Sequence, residues 1–114
     1  MDIDLQARGF TLTPALAAAA RREAGTLARL AGDRLLRLQV RLFDVNGSKG
    51  GVDKGCLVAA RVGRLRRITV ASSIDSDLYR AIPAAFEKLR RALVGASNRV
   101  QGRRRRGPPT PLPA

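Results

Sequence analysis

Histidine is absent from this chain of 114 residues, and cysteine occurs once, as Cys56. Without an imidazole, the chain has no Ser-His-Asp triad, no histidine general base and no histidine-bearing zinc site. A single cysteine excludes an intrachain disulfide and a thiolate cluster, and its apolar surroundings predict a buried thiol. Since no nucleophile–base pair is visible, we expect no enzyme activity, no metal or other cofactor and no small-molecule substrate.

Aromatic residues and long apolar runs are also scarce. The chain has three Phe, one Tyr and no Trp, and its strands lack the aromatic pairs that stack single-stranded bases. No apolar run approaches the length of a membrane span, and the N-terminal residues are acidic, unlike a signal peptide. We therefore expect a cytoplasmic protein that does not bind membranes.

Acidic residues are few, and basic residues dominate. The chain has 22 Lys and Arg against 9 Asp and Glu, a formal net charge of +13. Eight basic and two acidic residues fall within residues 35–72, and residues 100–114 contain four Arg and no acidic residue. The guanidinium group presents a fork of donors that suits phosphate. The excess indicates a polyanionic partner, most often a nucleic acid, over a surface that merely aids solubility.

Hydrophobic periodicity predicts six elements in the order strand, helix, three strands, helix. A polar, glycine-rich loop over residues 44–55 separates the second and third strands. The predicted bounds are 1–7, 14–30, 35–43, 56–62, 66–71 and 75–96.

Local signals fix the helix ends and the inward strand positions. Thr13 and Pro14 form an N-cap followed by proline at the first helical position, and Gly32 ends that helix. Ser73, Asp75 or Ser76 is expected to cap the second helix, in which Pro83 predicts a kink or a late start. The predicted inward strand residues are Met1, Ile3, Leu5, Ala7, Leu36, Leu38, Val40, Leu42, Cys56, Val58, Ala60, Val62, Ile68 and Val70.

These elements predict a two-layer α+β domain. A strand, a crossover helix and a second strand form a parallel, right-handed unit, and the later strands continue as an antiparallel meander. The second helix joins the first, which gives a four-stranded sheet with two helices on one face. The open face is expected to expose Arg37, Arg41, Arg61 and Arg67. The domain would cover residues 1–98, followed by a disordered Arg- and Pro-rich tail over 99–114.

Several segments, in the correct order, resemble one protein family. The most specific is Val45–Cys56 (VNGSKGGVDKGC), and it is supported by Asp2–Leu5, Gly9–Thr13, Arg37–Asp44 and Asp77–Tyr79. These segments resemble the hibernation promoting factor and ribosome-associated inhibitor A family, also called ribosomal subunit interface or sigma-54 modulation proteins. The chain departs from the family pattern at Ser48, Gly55 and Pro83.

The resemblance implies a fold and a function. The fold is the β-α-β-β-β-α sandwich, similar to double-stranded RNA-binding domains. The partner is the small ribosomal subunit and its rRNA, bound at the decoding channel so that messenger and transfer RNA are blocked in stress or stationary phase. The chain is similar to the short form, which lacks the dimerisation domain, so we expect a monomer away from the ribosome that does not pair ribosomes by itself.

The basic residues are the candidate contacts with rRNA. The favoured set is Arg21, Arg22, Lys49, Lys54, Arg80, Lys88, Arg90 and Arg91. A second set is Arg37, Arg41, Arg61 and Arg67, and the tail offers RNA contacts at Arg103, Arg104, Arg105 and Arg106.

Two alternative functions are compatible with the same residues. One is a free-standing protein that binds structured RNA away from the ribosome. The other is a regulatory protein that binds an acidic protein partner. The first would bind generic duplex RNA as well as ribosomes, and the second would bind its partner after ribonuclease treatment.

Overall fold

The computed structural model describes residues 2–44, 54–63 and 68–105. The order of elements is the predicted β-α-β-β-β-α, with a short 3-10 helix at Gly32–Arg34 after the first α-helix. The elements are β1 (Asp2–Arg8), α1 (Pro14–Ala31), β2 (Leu35–Asp44), β3 (Lys54–Val62), β4 (Thr69–Asp75) and α2 (Leu78–Arg105).

The four strands form one sheet in the order β1-β2-β3-β4. β1 and β2 are parallel, with Leu5 beside Val40, as expected for a strand–helix–strand unit. β3 and β4 continue as an antiparallel meander, with Val58 opposite both Val40 and Ala71. The α+β architecture predicted from the sequence is therefore confirmed.

Alternate residues of the strands form one core with both helices. Leu38 and Val58 are fully buried, and so are Ala24 of α1 and Ile82 of α2, all within a single cluster. Because one cluster includes both helices, both cover the same face of the sheet. Burying a side chain the size of Leu or Ile contributes roughly 2 kcal/mol, so this layer supplies the main stabilisation of the domain.

Helix α1 begins and ends as its sequence predicts. The Thr13 hydroxyl accepts a hydrogen bond from the Leu16 amide at 3.2 Å, and Pro14 takes the first helical position. Gly32 follows the last turn with a φ of 62°, in the left-handed region where glycine is unstrained.

Helix α2 departs from its prediction at both ends. Its N-cap is Asp77, whose carboxylate accepts from the Tyr79 amide at 2.9 Å, and none of the three predicted residues. Asp75 instead accepts from the Asp77 amide at 3.1 Å and orders the approach to the cap. The helix starts at Leu78 and continues through Pro83, so there is no late start.

The C-terminal end of α2 lies beyond its predicted position at about Ala96. The helix extends to Arg105, so residues 99–105 are helical, where the sequence predicted a disordered tail. Residues 106–114 lie outside the described residues, and the domain boundary at 98/99 stays a prediction.

The start of β2 contains an irregularity that the alternation did not predict. The pairing with β3 shifts between Leu35 and Arg37, which is the signature of a bulge. Leu35 is therefore buried and Leu36 is 48% exposed, so the inward assignment of Leu36 was wrong. From Leu38 to Leu42 the predicted alternation is correct.

Strand β4 has the opposite phase from the predicted one. Val70 is 54% exposed, and Ile68, just before the strand, is also exposed, although both were predicted to be inward. Pairing with β3 sets the pleat: Ala71 lies beside the buried Val58, so Val70 must face the open side. Short residues such as Ala71 let α2 pack closely on this edge strand, which explains why hydropathy misassigned it.

Candidate nucleic-acid interface

Arginines cluster on the face of the sheet that no helix covers. Arg37 of β2 is directly opposite Arg61 of β3, and Arg41 lies four residues further along β2 on the same face. All three are exposed. Like charges directly opposite each other in a sheet are destabilising, so this arrangement is better explained by an anionic partner than by folding stability.

These three arginines have no ion-pair partner among the described residues. The acidic Asp2 lies beside Arg37 in the parallel register, but their charged groups do not form a salt bridge. Their guanidinium groups are thus available to phosphate, which they bind through two parallel donors.

Arg8 belongs to the same face, although the sequence reasoning did not select it. It is exposed at the end of β1, beside Phe43 in the parallel register. The alternation of β1 carried the necessary signal, because Arg8 has the same phase as the predicted outward residues Asp2, Asp4 and Gln6. We call Arg8, Arg37, Arg41 and Arg61 the sheet arginines.

A second pair of unpaired arginines lies on the opposite side of the domain. Arg21 and Arg22 are exposed on α1, whose other side buries Ala20 and Ala24. Neither forms an ion pair within the described ranges. Two of the favoured candidates are therefore accessible, and they point away from the sheet arginines.

The basic residues of α2 already have partners within the chain. Glu87 accepts from Arg90 and, at 3.2 Å, from Arg91. The hydrogen bond from Arg90 lowers the pKa of Glu87, and the same bond raises the pKa of Arg90. To bind RNA, Arg90 and Arg91 would have to leave the Glu87 carboxylate and contact phosphate instead.

Two further basic residues of α2 support the start of the helix and the edge of the sheet. Arg80 lies 3.4 Å from Asp75 and 3.9 Å from Asp77, the carboxylates of the capping segment. Lys88 donates to the backbone carbonyl of Ser72 at 3.1 Å. A lysine on an edge-strand carbonyl discourages pairing with another strand, which gives Lys88 a structural role.

Lys54 is held by a close ion pair. Its ammonium lies 2.7 Å from Asp44, across the two strand ends that flank residues 45–53, and the Asp44 side chain is 10% exposed. This geometry joins β2 to β3. Lys54 therefore helps to hold the strands together, and its contact with rRNA stays a prediction.

The remaining candidates cannot be placed. Lys49, Arg67 and Arg106 lie outside the described residues, and Arg103, Arg104 and Arg105 belong to α2 without described side chains.

Cys56 is buried in the helix-covered layer. Desolvation raises the pKa of Cys56 to about 12, so the thiol stays protonated at neutral pH. Among the described residues, no three acidic, cysteine or histidine side chains group as a metal site. None of the described helices is long and apolar enough to cross a membrane.

Solved structures show the same architecture. A ribosomal subunit interface protein from Coxiella burnetii has a TM-score of 0.69 at 16% identity, covering 86% of this chain and 99% of its own. The N-terminal domain of Protein Y from Thermus thermophilus has a TM-score of 0.66 at 24% identity, covering 81% and 94%. At these identities the likeness concerns the fold.

Comparison of the sequence gave one family. Curated protein sequences yielded no significant match. The family model described as sigma 54 modulation protein / S30EA ribosomal protein matches residues 3–101. This span runs from the second residue of β1 to residue 101 of α2 and includes every element between them. The resemblance found in the sequence is therefore confirmed, and the chain belongs to the sigma 54 modulation protein / S30EA ribosomal protein family.

Proposed function

We propose that this protein is a ribosome hibernation factor that binds the small ribosomal subunit at the decoding channel and blocks messenger and transfer RNA. The observation that carries the proposal is that, in the part of the chain that the structure describes, arginines without an ion-pair partner lie on two opposite sides of the domain. Family membership supports a ribosomal partner, and a structural neighbour is itself described as a subunit interface protein.

The two-sided distribution favours a partner that surrounds the domain. A flat duplex would contact either the sheet arginines or Arg21 and Arg22, since they lie on opposite layers. A groove with rRNA on both walls would contact both sets at once. Phosphate contacts would fix the position of the domain without reading a base sequence, which suits recognition of a folded RNA by its shape.

Inhibition follows from occlusion. A rigid α+β domain lodged in the channel excludes messenger and transfer RNA sterically, without a catalytic group. If the four sheet arginines, Arg21 and Arg22 all contact phosphates, counterion release gives a slope of log K against log salt of about −4 to −5. Binding would therefore weaken steeply as salt rises. We propose that the protein acts in the cytoplasm, where its ribosomal partner is found.

Co-sedimentation with purified small subunits tests the proposal directly. We expect co-sedimentation at low salt, progressive release as salt increases, and displacement of a labelled messenger RNA from the subunit. Absence of co-sedimentation at low salt would contradict ribosome binding. Binding without displacement of messenger RNA would contradict the decoding channel as its location.

The role in stress is tested in cells. Ribosome fractions from growing and stationary cultures should show the protein moving onto small subunits as growth stops. Deletion of its gene should leave more messenger-bound ribosomes in starved cells. Equal occupancy in both growth phases would contradict a hibernation role while leaving ribosome binding intact.

A protein partner is the second candidate, favoured by the sigma 54 modulation description of the family. The exposed arginines would then bind acidic side chains. Ribonuclease treatment separates the two functions, because a protein complex survives it and an RNA-dependent complex does not. Competition with generic duplex RNA in turn distinguishes ribosome recognition from general binding of structured RNA.

A further inference from the structure

A cleft of about 430 Å³ opens on the uncovered face of the sheet, where β1 and β2 end. Its lining includes Arg8, Arg41, Phe43 and Leu57. The strand registers place Arg8 beside Phe43 and Arg41 beside Leu57, with all four side chains on the open side. The volume falls within the range of roughly 300–1,000 Å³ that is typical of small-molecule sites.

The Phe43 ring occupies space that only glycine leaves free. A Cβ atom at position 55 would lie 2.1 Å from Cζ of Phe43 and 2.2 Å from Cε2, so the ring lies directly over the Gly55 backbone. Phe43 is half-buried in this position, which leaves part of the ring facing the cleft. Gly55 therefore explains how an aromatic ring is held against β3 at the floor of a cationic cleft.

Within the described residues, neither Arg8 nor Arg41 has an ion-pair partner. The one carboxylate on the cleft lining, Asp44, lies 2.7 Å from the Lys54 ammonium, which balances its charge. The cleft thus combines an aromatic surface, an apolar neighbour in Leu57 and two available guanidinium groups. These groups match a planar base joined to a phosphate.

We propose that this cleft binds one nucleotide, with its base stacked on Phe43 and its phosphates held by Arg8 and Arg41. The source is an unpaired nucleotide within an RNA strand, because Arg37 and Arg61 continue the cationic face beyond the cleft and can bind neighbouring phosphates. The inference rests on the proposed function, since it names the feature of RNA that the sheet arginines hold. One base stacked on an aromatic ring raises the affinity about 5- to 150-fold.

Fluorescence of 2-aminopurine, which responds to stacking, provides the test. The full-length protein is titrated into a single-stranded RNA octamer that carries one 2-aminopurine. We expect wild type to quench the probe, and Phe43→Leu to abolish the quenching and weaken binding at least about fivefold. Tyr79→Leu is the matched control, because it removes an exposed aromatic ring from α2 in the other layer. Circular dichroism confirms that each variant is folded.

A second variant moves the ring without removing it. Gly55→Ala forces the end of the Phe43 side chain away from β3, and we expect it to reduce quenching as Phe43→Leu does. Arg8→Gln should weaken the affinity and make the salt slope shallower by about 1. Unchanged quenching and affinity in Phe43→Leu would overturn the proposal.

Two further measurements show whether the ligand is an RNA strand or a free nucleotide, and separate the nucleotide site from the proposed ribosome function. AMP that binds as tightly as the octamer would overturn RNA as the source, in favour of a free nucleotide. If wild type quenches the octamer in a Phe43-dependent way but fails to co-sediment with small subunits, the proposed function falls and the nucleotide site stands. If it co-sediments while Phe43→Leu behaves as wild type in both assays, the nucleotide site falls alone.

Discussion

The two faces of the sheet are built from alternate residues of the same strands, yet they have opposite chemistry. On the covered face, Leu38 and Val58 are fully buried against both helices. On the open face, Arg37 and Arg61 lie directly opposite each other, and neither has a partner carboxylate among the residues that the structure describes. The covered face accounts for the stability of the fold. The open face concentrates positive charge that folding itself does not require.

The helix surface sharpens this comparison. Arg90 and Arg91 carry the same positive charge as the sheet arginines, but both contact Glu87. A basic residue on a predicted outer surface is thus a weak indicator of RNA contact until its internal partners are known. The sequence reasoning ranked these α2 residues above the open-face residues Arg37, Arg41 and Arg61, and the observed pairings favour the reverse order.

The largest expected effect comes from the covered face and concerns the reactivity of the Cys56 thiol. Its pKa rises from 9.0 to about 12 on the covered face, so the reactive thiolate at pH 8 falls about 1,000-fold. We expect alkylation by iodoacetamide to be at least that much slower in the folded than in the urea-unfolded protein. Rapid native labelling would contradict a closed covered face.

The raised pKa of Cys56 also makes the stability of the protein depend on pH. The folded state retains a proton that the unfolded state loses above its ordinary pKa of 9.0. The free energy of unfolding should therefore fall as pH rises through that value. Cys56→Ala removes this contribution and serves as the control in urea titrations at pH 7 and pH 10.

Neutralising the open face should have the next largest effect. Arg37, Arg41 and Arg61 changed together to Gln should weaken small-subunit binding about 100-fold at low salt, because three charged contacts are lost. The matched variant, with Arg80, Arg90 and Arg91 changed to Gln, should lose only a few-fold. Sedimentation across a salt series measures both. Equal losses would show that internal pairing does not distinguish these surfaces.

Releasing the α2 arginines should produce a smaller gain. Glu87→Gln frees Arg90 and Arg91, and we expect affinity for RNA to rise about two- to fivefold with a steeper salt slope. Glu23→Gln removes the same charge from α1, where the carboxylate has no arginine partner within the described ranges. An equal gain in both variants would show that the affinity rises because of the net charge and not because Arg90 and Arg91 are released.

Acidification should release Arg90 and Arg91 from Glu87, as Glu87→Gln does. Because Arg90 lowers the pKa of Glu87, the pairing contributes above the ordinary pKa of a glutamate and is lost as pH falls through the lower folded value. The arginines should therefore be freed in wild type only below that value. Glu87→Gln should show no such change in affinity with pH.

The smallest effect on binding is expected at Lys54. Lys54→Met removes its 2.7 Å ion pair with Asp44 and should lower the free energy of unfolding by about 1 kcal/mol, with less than a twofold change in RNA affinity. Arg41→Met should give the opposite result, with little change in stability and a clear loss of binding. Thermal melting and RNA titration on both variants test this division. A large binding defect in Lys54→Met would instead support the predicted contact of Lys54 with rRNA.

Local chemistry alone determined much of the fold. Thr13 and Pro14 specified the start of α1, since the hydroxyl cap and the fixed proline φ act within one turn. Alternation over Cys56–Val62 specified the buried side of β3 correctly, because every inward residue there is apolar. The net charge of +13 and the absence of histidine likewise indicated a polyanionic partner without reference to any contact.

Tertiary structure decided what depends on neighbours distant in sequence. The bulge that buries Leu35 and the phase that exposes Val70 are set by pairing with β3, which hydropathy along one strand does not encode. The position of Phe43 over Gly55 requires two strands to meet in one register. The sequence determined that the protein is basic and how its elements follow one another. Only the folded chain determined which arginines are left available for an anion, because each charge is paired or free according to the carboxylates within a few ångströms of it.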